Sequence, residues 1–417
     1  MADPNSPAPS ERLHALDAVR GFALIAGIVF HATMSFLPGP NGLPVWIVTD
    51  NHPSTTLALV FHVLHIFRMS TFFLIAGFFA HMMVERRGTG GFIRDRAKRI
   101  ALPLVVGWPI VFAAIVAVTI WAAVVQAQGH PLPPAPKYPG FPAFPLTHLW
   151  FLYVLLWLYV ATLSLRVLVN AADRTGAIGR ATDAATGWLM RNPAGVVFLA
   201  APAALALATD ANWLPWAGVP TPDGSLVPNL PAATTFFTAF GFGWLLHRQA
   251  DLLAVLRRRW PLNLALGLVF TTAEIVAAGG FLPTLHVLPL GPAKLVAAAG
   301  YALALWTLTF AAIGLALRFL SGHSPARRYI ADASYWLYLI HLPIVMALQV
   351  AVSRLAWPWE AKFVVILGVA FPLMLASYEL LVRHSFIGGV LNGRRYPWPA
   401  RRATMPAPTA PESARQA

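Results

Sequence analysis

The 417-residue sequence contains no cysteine, which excludes disulfides, thiolate nucleophiles and thiolate-bound metals. It also lacks a P-loop, a G-x-S-x-G nucleophile elbow and the H-x4-D arrangement of soluble glycerolipid acyltransferases. Charged residues are scarce, because they make up 11% of the chain against roughly 25% in a typical soluble domain. The chain therefore has no room for a large soluble domain.

Apolar residues account for 58% of the sequence. Stretches long enough to cross about 30 Å of hydrocarbon recur along its whole length. We predict an all-α polytopic membrane protein with about ten transmembrane helices. The predicted spans are residues 18–38, 58–83, 101–126, 148–169, 194–209, 232–249, 261–281, 294–319, 333–353 and 361–383.

The basic residues are divided unequally between the two sides of these spans. Of the 30 lysine and arginine residues, 25 lie in the tails, in every second connecting segment or at the adjoining helix ends. This positive-inside pattern predicts that both termini are cytoplasmic, and it explains the net charge of +14 without a nucleic-acid partner. Arginine outnumbers lysine by 26 to 4, which favours a bacterial protein and hence the bacterial inner membrane.

The predicted membrane domain extends over residues 12–396, and a short tail flanks it on each side. Residues 1–11 and 397–417 are rich in proline and in small or polar residues, so we predict disorder in both tails. The first residues lack a basic n-region, and we therefore expect the first apolar segment to stay as an anchor rather than to be cleaved.

The first span carries two ionisable residues on one face. Arg20 and His31 are eleven residues apart, close to three helical turns, so about 16 Å separates them along the axis. Gly27 lies between them on that face and permits close approach of another group. This arrangement predicts a cationic anchor and a proton-transfer group. A snorkelling arginine and a hydrogen-bonded structural histidine are the alternative.

The second span contains Arg68, a permanent cation that must face a polar cavity or a partner. His62 and His65 lie further outward on the same helix. We predict no metal there, because a third ligand is missing nearby in the sequence. Glu274, in the seventh span, has no evident partner in the sequence.

Further polar residues are candidates for substrate binding. Arg96 and Arg99 are spaced i,i+3 at the predicted start of the third helix and can present two guanidinium groups to phosphate. Ser334, Tyr338 and His341 form a polar stripe along one helical face, for which a structural hydrogen-bond network is the alternative. The complete set of substrate-binding candidates is Arg96, Arg99, Asp17, His148, Trp150, Ser334, Tyr338 and His341.

Five segments together resemble membrane acyltransferase family 3. They are LDAVRGFALIAGIVFH, FRMSTFFLIAGFF, RAKRIALP, HLWFL and SYWLYLIHLP, and they occur in the order typical of that family. The resemblance extends over about residues 12–396. Within the family, FHVLHIFRMSTFFLIAGFFA, THLWFL and YELLVRHSFIGGVLNGRR look most like the OpgC type, which succinylates periplasmic glucans.

The resemblance implies an activity. Acyl-CoA would bind on the cytoplasmic side, and the acyl group, succinyl or alternatively acetyl, would pass to a hydroxyl of a periplasmic or cell-envelope glycan. His31 would be the catalytic base or would itself receive the acyl group. Arg20 and Arg68 would orient the donor or stabilise negative charge, and Arg96 and Arg99 would hold the CoA phosphates. The resemblance implies no permanently bound cofactor.

One departure from the family pattern is Ala76, where the family often has serine. Two other classes of function stay open at this point. Intramembrane histidine and arginine also suit a proton-coupled transporter or a glycan exporter, although the inverted repeats of many transporters are not evident. The second class is a membrane protein that only binds a partner and catalyses nothing, and such a role would not explain His31 and Arg68 inside the membrane.

Overall fold

The computed structural model describes residues 9–39, 46–131, 139–283, 286–393 and 395–397. Regular structure in these ranges is helical, apart from one isolated β-bridge between Ala143 and Ser225. Helices suit the apolar composition because they satisfy the backbone hydrogen bonds within each segment, where lipid offers none. The predicted all-α fold is confirmed.

The described residues form twelve α-helices, with short 3-10 and π-helical turns between some of them. They are α1 Pro9–Thr33, α2 Thr55–Arg96, α3 Leu102–Ala127, α4 Trp150–Ala172, α5 Ala177–Arg191, α6 Gly195–Thr209, α7 Leu230–Arg248, α8 Leu253–Ala277, α9 Pro292–Phe319, α10 Pro325–Val352, α11 Trp359–Ser377 and α12 Phe386–Leu391.

Each of the ten predicted spans falls on one of these helices, and α5 and α12 lie outside them. Within the described residues, seven helical stretches are long and apolar enough to cross a membrane, or eight if α5 and α6, bent by 101°, count as one. One stretch, of 73 residues, contains both α2 and α3. The chain is thus a multi-pass membrane protein, and the total of ten spans stays a prediction.

The predicted disordered tails lie almost wholly outside the described residues. Of the predicted tail 1–11, the structure describes residues 9–11, with which α1 already begins, and of the tail 397–417 it describes residue 397.

The main chains of α2 and α7 touch. A side chain at Gly77 would overlap the carbonyl of Phe240, and one at Gly243 would overlap the carbonyl of Leu74. Small residues permit this approach, which substitutes for the hydrophobic driving force that is missing between helices in lipid. The contact fixes α2, which carries Arg68, against its neighbour.

The prediction that Arg96 and Arg99 begin the third helix was wrong. Arg96 is the last residue of α2, and Arg99 lies in the π-helical turn Ala97–Ala101 that joins α2 to α3. The chain stays helical through this wider turn, and Pro103, the nearest helix-breaking residue, follows it at the start of α3. The real break is at Gly88, whose φ of 69° is accessible to glycine at little cost.

Glu274 has a partner that the sequence did not reveal. Its Oε2 lies 2.7 Å from Nε2 of His62 on α2, and both side chains are completely buried. The other ring nitrogen of His62 lies 3.3 Å from the Trp216 carbonyl oxygen. The pair joins α2 to α8, and 212 positions separate its members in the sequence, so no local spacing could have indicated it.

A second buried ion pair fastens the segment after α1 to α11. The Nζ of Lys362 lies 2.8 and 3.0 Å from the two carboxylate oxygens of Asp50 and also donates to the Ser353 carbonyl. The side chains of Lys362 and Asp50 are 0% and 1% exposed. Removing one partner of such a pair leaves an uncompensated buried charge.

We therefore expect Lys362→Met to lower the free energy of unfolding by about 3–5 kcal/mol. Thermal unfolding of the detergent-solubilised protein measures this, and Arg354→Met, which removes an exposed cation near α11, is the matched control. The double variant Asp50→Leu/Lys362→Met should recover much of the loss because it removes both charges. A single variant as stable as the wild type would contradict the structural role of the pair.

Candidate active site

A cavity of about 870 Å³ runs through the helix bundle. Along α1 its lining extends from Asp17 to Met34, which is about 25 Å of helix and most of the thickness of a bilayer core. All eleven predicted site residues line it. They are His31, Arg20, Arg68, Arg96, Arg99, Asp17, His148, Trp150, Ser334, Tyr338 and His341. The structure thus brings together candidates from α1, α2, α4 and α10, and their roles stay predictions.

One end of the cavity, here called the basic end, is lined by four arginines and two aspartates. These are Arg20, Arg96, Arg99, Arg328, Asp17 and Asp332. Asp17 lies 3.4 Å from Arg20 and 3.8 Å from Arg328, so it holds α1 against α10. Arg20 also donates to the Ala331 carbonyl over 3.3 Å. The arginines outnumber the carboxylates, so this end can bind an anion.

Asp95 contacts two arginines of the basic end without lining the cavity, and sequence reasoning missed it. Its side chain is 8% exposed and contacts Arg96, Arg99 and Arg87, the last two over 3.2 Å. The i,i+4 spacing to Arg99 was the available signal, because such pairs meet on a helix. One carboxylate cannot neutralise three guanidinium groups, so an excess of positive charge remains.

Arg68 occupies the middle of the cavity. Its side chain is buried, and its guanidinium carbon lies 4.2 Å from the centroid of the Phe30 ring. A methyl group on Gly27 would come within 2.8 Å of Arg68 Nη1, so glycine at this position makes room for the cation. No aspartate or glutamate within the described ranges lies at ion-pair distance from Arg68. The cavity therefore holds a buried, uncompensated positive charge.

The opposite end, here called the histidine end, contains three clustered imidazoles. The ring centroid of His341 lies 5.1 Å from that of His31 and 5.0 Å from that of His148. Nδ1 of His341 is 2.7 Å from the Tyr338 carbonyl oxygen, and Nε2 of His148 is 3.1 Å from the same oxygen. Since carbonyls only accept, these nitrogens carry the protons in the neutral rings. Nε2 of His341 and Nδ1 of His148 are then free to accept a proton.

His31 is held through its backbone. Its carbonyl, near the end of α1, accepts a hydrogen bond of 2.9 Å from Nε2 of Gln349, whose Oε1 accepts one of 2.9 Å from the Trp46 indole. Nδ1 of His31 is buried and makes no hydrogen bond with the described residues. Sequence reasoning missed Gln349 and Trp46. A lone glutamine in an apolar span was the signal, because a buried amide needs partners.

Three predicted residues use their polar or aromatic groups in structural contacts. The Ser334 hydroxyl donates to the Ala331 carbonyl of its own helix over 2.7 Å. Trp150 stacks on Phe236, with 5.5 Å between ring centroids. Tyr338 lines the cavity, but its hydroxyl donates to the His148 carbonyl over 2.7 Å and so ties α10 to the turn before α4.

His65 also lines the cavity, and sequence reasoning had considered it only as a possible metal ligand. Its Nε2 lies 3.3 Å from the Val219 carbonyl oxygen. In the described parts of the chain, no group of three or more histidine, aspartate or glutamate side chains is arranged to hold a metal ion.

The chemistry that this arrangement offers is proton transfer beside a fixed positive charge. Unprotonated imidazole nitrogens can remove a proton from a hydroxyl. A buried guanidinium stabilises negative charge that develops nearby, and more strongly than it would in water.

Comparison with known proteins gives a family. A family model described as an acyltransferase domain, that of acyltransferase family 3, matches residues 13–378. Curated relatives include glucans biosynthesis protein C of Escherichia coli (strain SMS-3-5 / SECEC) and of Shigella dysenteriae serotype 1 (strain Sd197). Each is 30% identical over 105 residues, which is 25% of this chain and 26% of the relative.

The chain thus aligns with about a quarter of the length of these relatives. No solved structure matches. The family model, in contrast, covers most of the sequence, from residue 13 in α1 to residue 378, directly after the end of α11. On this evidence the chain belongs to acyltransferase family 3.

Proposed function

We propose that the protein is a membrane O-acyltransferase that moves an acyl group, succinyl in preference to acetyl, from cytoplasmic acyl-CoA to a hydroxyl of a periplasmic glycan. The observation that carries this proposal is the single cavity that joins the basic end to the histidine end. The name of the relatives, glucans biosynthesis protein C, supports a glucan as the acceptor.

The proposal includes an orientation. With ten spans and both termini in the cytoplasm, the basic end faces the cytoplasm of a bacterium and the histidine end faces the periplasm. The phosphates of CoA would then bind Arg96 and Arg99, because guanidinium groups bind phosphate in bidentate fashion. The pantetheine arm would lie along α1 toward His31.

The reaction needs two proton transfers, to His31 and from it, and one exchange of bonds. His31 removes the proton of the acceptor hydroxyl while the hydroxyl oxygen forms a bond to the thioester carbonyl carbon. The carbon–sulfur bond then breaks, and the proton passes from His31 to the departing sulfur, so that CoA leaves as a free thiol. Arg68 stabilises the negative charge on the carbonyl oxygen.

The unpaired charge of Arg68 also favours succinyl over acetyl. A succinyl group carries a carboxylate, which would compensate the buried guanidinium, whereas an acetyl group is neutral. Burying a cation without a counterion is unfavourable in free energy. An anionic acyl group would pair with Arg68 and offset this desolvation penalty, which favours its binding.

The first prediction concerns His31. We expect His31→Ala to reduce label transfer from radiolabelled succinyl-CoA to a periplasmic glucan fraction by about 100- to 10,000-fold, the usual contribution of a general base. The protein should still bind CoA, because the basic end is untouched. His286→Ala, which alters an exposed histidine, is the control and should behave as the wild type.

Full activity of a folded His31→Ala protein would contradict the role of His31. A wild-type protein that transfers no label from either succinyl-CoA or acetyl-CoA, and does not bind CoA, would contradict the whole proposal and would favour a transporter.

The second prediction concerns the acyl group. We expect Arg68→Gln to lower kcat/KM for both donors by about 100-fold, because both lose the charge that stabilises the carbonyl oxygen, and to lower kcat/KM for succinyl-CoA about tenfold further, because only succinyl also loses a charge partner. Parallel assays with the two donors measure this ratio. An equal loss of kcat/KM for both donors would show that Arg68 does not bind the succinyl carboxylate.

The third prediction concerns CoA. We expect Arg96→Gln to raise KM for acyl-CoA by about tenfold with a smaller change in kcat, since the phosphate contact is present in both ground and transition states. Arg86→Gln removes an exposed arginine that does not line the cavity and serves as the control. Equal KM values for the two variants would place the phosphates elsewhere.

A further inference from the structure

Trp46 lines the histidine end of the cavity and has no part in the chemistry proposed above. It is half-buried, and its ring lies 6.3 Å from that of His31, with 29° between the two planes. Phe61 and Thr221 line the same region. A substrate bound in the cavity beside His31 therefore also lies close to the Trp46 side chain.

The polar atom of Trp46 is already engaged. Its Nε1 donates to Gln349 Oε1 over 2.9 Å, and Gln349 Nε2 donates to the carbonyls of His31 and Ala32 over 2.9 and 3.1 Å. Gln349 is completely buried, and its amide uses both its oxygen and its nitrogen. Trp46 can therefore offer a ligand only its apolar ring face, and Gln349 fixes that face relative to His31.

The charge at this end differs from that at the basic end. Among the described lining residues beyond Arg68, the charged side chain is Asp223, an exposed carboxylate between α6 and α7. Two lysines outside the cavity already have partners. Lys362 forms an ion pair with Asp50, and Lys294 donates a hydrogen bond of 2.6 Å to the Asp210 carbonyl. The Asp223 carboxylate can therefore accept hydrogen bonds from hydroxyls, and it disfavours an anionic group placed directly beside it.

We propose that the ring face of Trp46 is the platform on which a sugar ring of a neutral acceptor glycan stacks, with Asp223 accepting hydrogen bonds from its hydroxyls. A pyranose presents an apolar face of C–H groups, which packs on an aromatic ring, and hydroxyls at its rim. This inference rests on the proposed function, and it names the acceptor subsite and its preference for uncharged sugars.

The test compares Trp46→Ala, Trp46→Phe and the control Trp357→Ala in the acyl-transfer assay with the full-length protein in nanodiscs. Trp357 is also a half-exposed tryptophan, after α10, but it does not line the cavity. We expect Trp46→Ala to raise KM for a neutral glucan by about tenfold, the size of one lost aromatic contact, and to leave KM for succinyl-CoA unchanged. Trp46→Phe keeps an aromatic face and should stay within about threefold of the wild type.

The outcomes separate the two proposals. If wild-type protein transfers no label to any glycan, the proposed function fails. If wild type transfers label but Trp46→Ala keeps its KM for glucan, or raises KM for both substrates equally, the acceptor subsite alone is overturned. Trp46→Phe loses the hydrogen bond to Gln349 but keeps an aromatic ring. If it raises KM for glucan as much as Trp46→Ala does, the effect comes from the lost hydrogen bond, and the proposal that the Trp46 ring binds the sugar is overturned.

Asp223 provides a second readout of the same subsite. Wild-type protein should transfer the acyl group to a neutral glucan in preference to a glycan that contains carboxylated sugars, and Asp223→Asn should narrow that preference by about threefold or more, because it removes the repulsion. An unchanged preference in the folded variant would overturn the assigned role of Asp223.

Discussion

A buried guanidinium without a counterion dictates how the centre of this molecule is built. Arg68 cannot lose its charge, so the helices around it must offer a polar, hydrated space in place of a tight apolar interface. Gly27 supplies the room on α1, and the face of Phe30 supplies a weak electrostatic contact. The cavity and the clustered imidazoles surround this charge.

Hydrogen bonds to the backbone decide which imidazole nitrogens keep a lone pair. The Tyr338 carbonyl lies beside ring nitrogens of both His148 and His341. This one carbonyl oxygen therefore orients two rings that come from different parts of the chain, His341 from α10 and His148 from the turn before α4. A carrier of protons would also benefit from such rings, and it is the family and the basic end together that favour group transfer over transport.

Sequence reasoning succeeded where the information was local. The spacing of Arg20 and His31 on one helix, and the need of Arg68 for a polar space, follow from helical periodicity and from electrostatics. It failed where partners came from distant helices, as for Glu274 with His62 and for Gln349 with His31. It also misplaced Arg96 and Arg99, because the π-helical turn keeps the chain helical as far as Pro103, which lies after both arginines.

The glycine contact between α2 and α7 bears on how the cavity can change shape. Main chains that touch at two glycines resist sliding past each other, so we expect α2 and α7 to shift together. Arg68 then lies on the less mobile side of the cavity. If the cavity widens during the proposed acyl transfer, the movement falls to α1, α4 and α10, which carry the three histidines or flank them.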